Sequence, residues 1–276
     1  MELIFGGISS LLYGAADFLG GEGARRAPAA AIVFWAGAIS FPSILVVAFL
    51  VGGEATLADY LLGALAGSSG AIGLVFLFAG LGRGRAASVA PVAAAVAAIV
   101  PVVVAVIDGE RPSVLAWLGV AVAVPAIAMC AWVADTGEGE RGGAGYGVVA
   151  GLGFGGFTAL IRFTGAGSNL LPLVTSRAAT MLVVLVLSGL GVWRLTRFGS
   201  TPGRIVIGNA ILDVSGNVAL LLAVRAGSLA LAAVAASFYP AVTVIMARVV
   251  NSELLLRRQV LGLALTLLAM TAIALG

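Results

Sequence analysis

Long apolar runs alternate with short charged or glycine-rich turns from one end of this chain to the other. Ten runs can be marked off, over residues 3–20, 30–51, 60–81, 87–107, 115–134, 146–165, 170–193, 205–224, 229–250 and 260–275. Most have the ~20 residues that a helix rising 1.5 Å per residue needs to cross a ~30 Å hydrocarbon core. Lipid offers no partner to an unpaired backbone group, so runs of this length predict helices. Strands of a membrane barrel would read as short alternating segments, and these do not.

The eighth run breaks its own pattern. Between Arg204 and Arg225 it carries Asn209, Asp213 and Asn217, spaced i, i+4, i+8, which a helix places on one face. A carboxylate at the centre of a span costs ~2.5–3.5 kcal/mol even on insertion scales, so it should face protein or water.

Composition sharpens the class. Of 276 residues, 61% are hydrophobic and 10% charged, with a mean hydropathy of +1.16. A soluble domain carries about 25% charged residues, so the expected class is an all-α integral membrane protein in a cell (inner) membrane, crossing it many times. All 15 basic residues are arginines; lysine and histidine are absent. No phosphate-binding P-loop, HExxH metal site, histidine triad or histidine proton relay can therefore be built. Cys130, the only cysteine, excludes an internal disulfide and a thiolate cluster. Neither a metal nor a cofactor is expected, nor an enzyme. The basic residues flank spans rather than form a nucleic-acid surface. A cleavable signal is not needed, because the first run begins at residue 3 without a basic region before it.

The chain repeats itself at half length. LFAGLGRGRAASVAPVAAAVA and LAVRAGSLALAAVAASFYPAV lie at matching places in two halves, and Glu110 and Glu253, like Gly119 and Gly262, stand 143 residues apart. Two five-span units result, residues 1–134 and 145–276, joined by a hydrophilic linker over 135–144. Five is odd, so the second unit must lie inverted relative to the first, the arrangement that supports alternating access. Eleven arginines fall in the loops after spans one, three, five, seven and nine, against Arg111 and Arg225 in the alternate loops. The positive-inside rule puts the first set in the cytoplasm and both termini outside.

Ten spans, a five-span duplication and a glutamate-plus-glycine pattern after spans four and nine resemble the drug/metabolite transporter superfamily. The likeness is to its EamA-domain members, with the aromatic amino-acid exporter branch one candidate. It rests on Pro240, Glu253 and Gly262 in the second half, on Glu110 and Gly119 in the first, and on the small-residue stretches 87–91 and 230–234. In the first half Ala97 stands where Pro240 stands in the second. Family members are often described with cytoplasmic termini, whereas these arginines argue the reverse. The resemblance implies a proton- or gradient-driven carrier of small metabolites with a central cavity between inverted halves, and names no substrate.

Candidate binding residues follow from depth in the spans. Asp213 is the deepest ionisable group, either a proton or amine site or a helix contact shared with Asn209 and Asn217. Arg177 could hold a substrate carboxylate by paired hydrogen bonds, and Arg162 is expected to snorkel to the interface. Asp17 is expected as an interfacial acid paired with Arg25 or Arg26. Tyr13 and Tyr239 are too deep for an aromatic belt, and each hydroxyl needs a partner. Phe157 stands at midspan six, and Ser69 lies at the half-length counterpart of the Asp213 region. Two acids and two arginines within spans suit a zwitterion and equally suit two internal salt bridges. The expected function is a secondary transporter exporting amino acids or similar small metabolites, with protons a candidate coupling ion and a monomer sufficient. The alternative is a multidrug or quaternary-ammonium efflux carrier using Asp213 and aromatic faces.

Overall fold

The computed structural model describes residues 1–83, 85–109, 111–131, 143–226, 235, 238–253 and 255–276. Among these the chain forms ten α-helices: α1 (Glu2–Ala24), α2 (Ala29–Val51), α3 (Leu57–Leu81), α4 (Ala86–Ile107), α5 (Val114–Ala131), α6 (Gly143–Ile161), α7 (Leu171–Gly189), α8 (Gly203–Ala226), α9 (Tyr239–Asn251) and α10 (Arg257–Leu275). No strand occurs among the described residues. Seven helices, α1 to α4, α6, α7 and α10, are long and apolar enough to cross a membrane, and α5 is a shorter apolar helix. The chain is an all-helical, multi-pass membrane protein. Glu110, residues 135–142 of the linker and the stretch 230–234, each given weight by the sequence, lie outside the described residues, while 143 and 144 open α6.

Local chemistry sets the helix ends. The α3 helix starts three residues before its apolar run, because Thr56 and Asp59 form a reciprocal capping box that satisfies both orphan N–H groups. Pro172 occupies the first turn of α7, where its missing N–H costs nothing. Pro42, Pro91, Pro101 and Pro125 lie inside helices, and Pro240 sits in the first turn of α9.

The helices run back and forth between two ends. One end carries both termini and the loops that follow α2, α4 and α6. There the Glu54 N–H donates to the Gly167 carbonyl (2.9 Å), the Gly165 N–H to the Asp59 carboxylate (2.7 Å) and the Asn169 amide to the Gly52 carbonyl (3.2 Å). Arg162 stands just past α6 at this end and pairs with Asp108 at 3.5 Å. The opposite end gathers Arg25, Arg26, Arg83, Arg85, Arg194, Arg197, Arg204, Arg248, Arg257 and Arg258, and is called the arginine end below.

Small residues let the helices approach closely. The principal packing partners are α1 with α3, α8 and α9, α3 with α6 and α7, α4 with α5, α6 and α10, α2 with α7 and α8, and α5 with α10. A Cβ at Gly67 would collide with the Ser176 backbone of α7, and one at Gly153 would stand 2.5 Å from the Gly73 nitrogen of α3. Such approach drives helix association in lipid, where burial of apolar surface supplies little. Apolar side chains such as Phe49, Leu50, Leu118 and Leu182 point outward, as a lipid-facing surface requires.

Candidate functional site

Two hydrogen bonds set the register of α1 against α8. The Ser9 hydroxyl donates to the Gly216 carbonyl (2.9 Å), and the Asn209 amide donates to the Ala16 carbonyl (2.6 Å). The helices are antiparallel, so Asp213 stands level with the Tyr13 turn. Asp17 then lies about one helical turn (~5 Å) closer to the arginine end. Gly216 leaves room for the Tyr13 ring, since a Cβ there would stand 3.0 Å from it.

Around this crossing lies a cavity of about 290 Å³. Tyr13 and Asp17 of α1, Asp213 and Asn217 of α8 and Tyr239 of α9 line one side. Gly70 and Leu74 of α3, Phe154 and Phe157 of α6, and Leu173, Ser176, Arg177 and Thr180 of α7 line the other, with Ile44 of α2. These residues sit at midspan and toward the end that carries the termini. Inside the cavity the Arg177 guanidinium donates to the Asp213 carboxylate at 2.7 Å. Asn217 donates its amide to the Asp213 carbonyl (2.7 Å), which leaves its own amide oxygen as an acceptor.

Of the residues expected to bind, Tyr13, Phe157, Arg177, Asp213, Asn217 and Tyr239 therefore share one cavity. Ser69 and Asn209 do not line it. Ser69 donates to the Gly153 carbonyl (2.9 Å) and Asn209 to Ala16, so both serve as cross-helix fasteners. Asp17 corrects the sequence reading most. It was expected to pair with Arg25 or Arg26, but Arg25 contacts Glu22 (2.9 Å) and Glu253 (3.4 Å), and Arg26 contacts Glu22 (4.0 Å). Asp17 faces the cavity instead, with no hydrogen bond or ion pair among the described residues. Its spacing of four from Tyr13 was the signal that could have placed it there.

A polar knot ties helix ends together at the arginine end. Glu253 accepts from the Ala86 N–H at the start of α4 (3.0 Å) and from Arg25 after α1, while Asn251 of α9 donates to Glu22 (2.8 Å). Burial pushes the Glu253 carboxyl above its ordinary value, against the opposing pull of the Ala86 N–H and Arg25. The fold thus favours the protonated acid, so this group's contribution to stability improves as pH falls toward its ordinary carboxylate range. Glu253→Gln keeps an acceptor for Ala86 and is expected to melt no lower than wild type at neutral pH. In mildly acid buffer wild type should gain on it, and Glu253→Ala should melt lower than both at neutral pH. Melting curves of the three proteins at both pH values check this.

No protein-family model matches the chain, and no curated protein does.

Proposed function

We propose that the chain is a secondary carrier that moves small organic solutes, amino acids or similar metabolites, by alternating access through this cavity. The observation that carries the reading is a midspan cavity holding an Arg177–Asp213 pair, a further acid and two tyrosines. Ionisable groups inside a membrane bundle are costly and mark solute or ion paths. On this reading the state described is the one accessible from the end that carries the termini, and export proceeds from the arginine end, which faces the cytoplasm of a cell (inner) membrane.

In the same reading the ten helices form two inverted five-helix halves of the EamA type. The packing order supports it. Exchanging α1–α5 with α6–α10 turns the α3–α6 contact into α8–α1, α3–α7 into α8–α2 and α4–α6 into α9–α1, all of which occur, and α2–α7 and α5–α10 map onto themselves, whereas α1–α3, α4–α5 and α4–α10 have no counterpart of similar extent among the described residues. The α5–α10 seam is reciprocal in detail. A Cβ at Gly119 would stand 2.8 Å from the Ala269 carbonyl oxygen, and one at Gly262 would stand 3.1 Å from that of Ala126. Both pairs are related by the 143-residue displacement, the mark of a two-fold contact.

One observation favours the second reading, efflux of quaternary-ammonium or related cations. The charge of the arginine that a substrate carboxylate would need is already balanced by Asp213.

Counterflow in proteoliposomes, with a panel of radiolabelled amino acids, amines and quaternary ammonium ions, tests the carrier. Transport of at least one solute, lost in Asp213→Asn, is the expected result; no movement of any solute sinks the proposal. Because Cys130 is fully buried, cysteines introduced at 83 and 113 can be labelled over a quiet background, and labelling of 83 from outside would reverse the orientation.

A further inference from the structure

Within the carrier reading, on which this rests, we infer that the cavity's ligand is an organic monocation, an ammonium group on an aromatic or apolar body. It seats on the Asp17 carboxylate between Tyr13 and Tyr239. The charges decide the class. Three ionisable acids and bases line the cavity, Asp17, Arg177 and Asp213, and the last two satisfy each other at 2.7 Å. Asp17 is left with no hydrogen bond or ion pair among the described residues, and the cations nearest to it in sequence, Arg25 and Arg26, are turned to Glu22 and Glu253.

A carboxyl group in a desolvated site stays charged only with a compensating charge and hydrogen-bond donors. An ammonium ligand supplies both. A ligand carboxylate would do the opposite, since it would have to share Arg177 with Asp213 and would bring a further negative charge to a site that already holds two acids and one arginine.

The walls agree with the charge. Tyr13 stands one turn from Asp17 on α1, and Tyr239 enters from α9; neither hydroxyl is hydrogen-bonded among the described residues. Phe154 and Phe157 of α6 add apolar faces. Aromatic rings beside a carboxylate suit a cation attached to an apolar body, because ring faces attract a desolvated cation. The volume, about 290 Å³, lies at the low end of the ~300–1,000 Å³ usual for small-ligand sites, which limits the body to roughly one ring system.

Four probes sharing a ring separate the possibilities: phenethylamine, benzyltrimethylammonium, L-phenylalanine and 3-phenylpropionate, titrated calorimetrically into the purified full-length protein in detergent. The expected result is that at least one of the two cations binds, phenylpropionate does not, and phenylalanine binds no tighter than phenethylamine. Asp17→Asn should weaken cation binding about tenfold or more, the factor carried by one hydrogen bond to a charged group, and Asp17→Glu should retain most of it. Tyr239→Leu, which keeps the charge, should weaken it less than Asp17→Asn, and it stands in if Asp17→Asn fails to fold. Any of three results overturns the inference: neither cation binds wild type; a folded Asp17→Asn binds them as wild type does; or phenylalanine binds more tightly than phenethylamine in a manner lost with Arg177→Gln. The last would leave the carrier itself standing, with an amino acid as its cargo, whereas failure of all counterflow would remove the carrier whatever the calorimeter reads.

Discussion

Arg177→Gln, made alone, is expected to lower the melting temperature of the solubilised protein sharply and to abolish counterflow. Adding Asp213→Asn to it should restore part of the lost stability. Removing one partner from a fully buried ion pair costs about 3–5 kcal/mol, because the other charge is left uncompensated; the lower end applies here, since the two side chains keep 21% and 28% of their surface open to the cavity. The double variant has no stranded charge, so the two substitutions should be strongly non-additive, and a double-mutant cycle on melting temperatures reads that coupling directly. If Arg177→Gln melts as wild type does, or if the two losses simply add, the pair is not what holds α7 to α8 across the cavity. Transport should not return with stability, because the double variant lacks both charges at the cavity wall.

Gly67→Val should be worse still for folding. Gly67 is buried where α3 crosses α7, and any side chain placed there meets the Ser176 backbone, which cannot rotate away as a side-chain end could. The same crossing holds the bond from the Thr180 hydroxyl to the Gly67 carbonyl (2.9 Å), so spreading the helices breaks it too. Overpacking of this kind sits at or above the ~1–3 kcal/mol typical of an inserted core group. Size-exclusion chromatography after solubilisation should show little monodisperse protein. Gly7→Val on α1, where a Cβ meets nothing within 4 Å, serves as the control and should elute as wild type does. Equal recovery of Gly67→Val and wild type would contradict the close α3–α7 approach.

Hydropathy alone located the helices well, because lipid forces almost every apolar run of this length into the same backbone form. One error fell where a polar residue belongs to a helix: the α3 start was placed late because the charge of Asp59 bounds the apolar run, although Thr56 and Asp59 are there to cap the helix. The cavity was half legible. Periodicity grouped Asn209, Asp213 and Asn217 on one stripe, but a stripe does not say how far away the neighbouring helix lies. At Asn209 the α1 backbone is within hydrogen-bond reach and takes the side chain; at Asp213 and Asn217 the same stripe looks into open space. Asp17 was misread for a related reason. Sequence distance favoured Arg25 and Arg26, yet Glu22 sits one turn from both, and Glu253 arrives from 228 residues away to take the rest of Arg25. No local pattern encodes that competition.

The α5–α10 seam has a consequence for how such a chain could arise. Gly119 seats against Ala269 as Gly262 seats against Ala126, so on the proposed two-unit reading each unit would present both the notch and the ridge that fits it. A surface of that kind is self-complementary before any duplication: two copies of a half-length polypeptide, inserted in opposite senses in one bilayer, would already dock along it as a dimer. Fusing the copies would then fix their relative orientation once and for all. It would also free each half to change independently, which is how an acid at 213 can stand opposite a glycine at 70, and one cavity can carry different chemistry on its two walls.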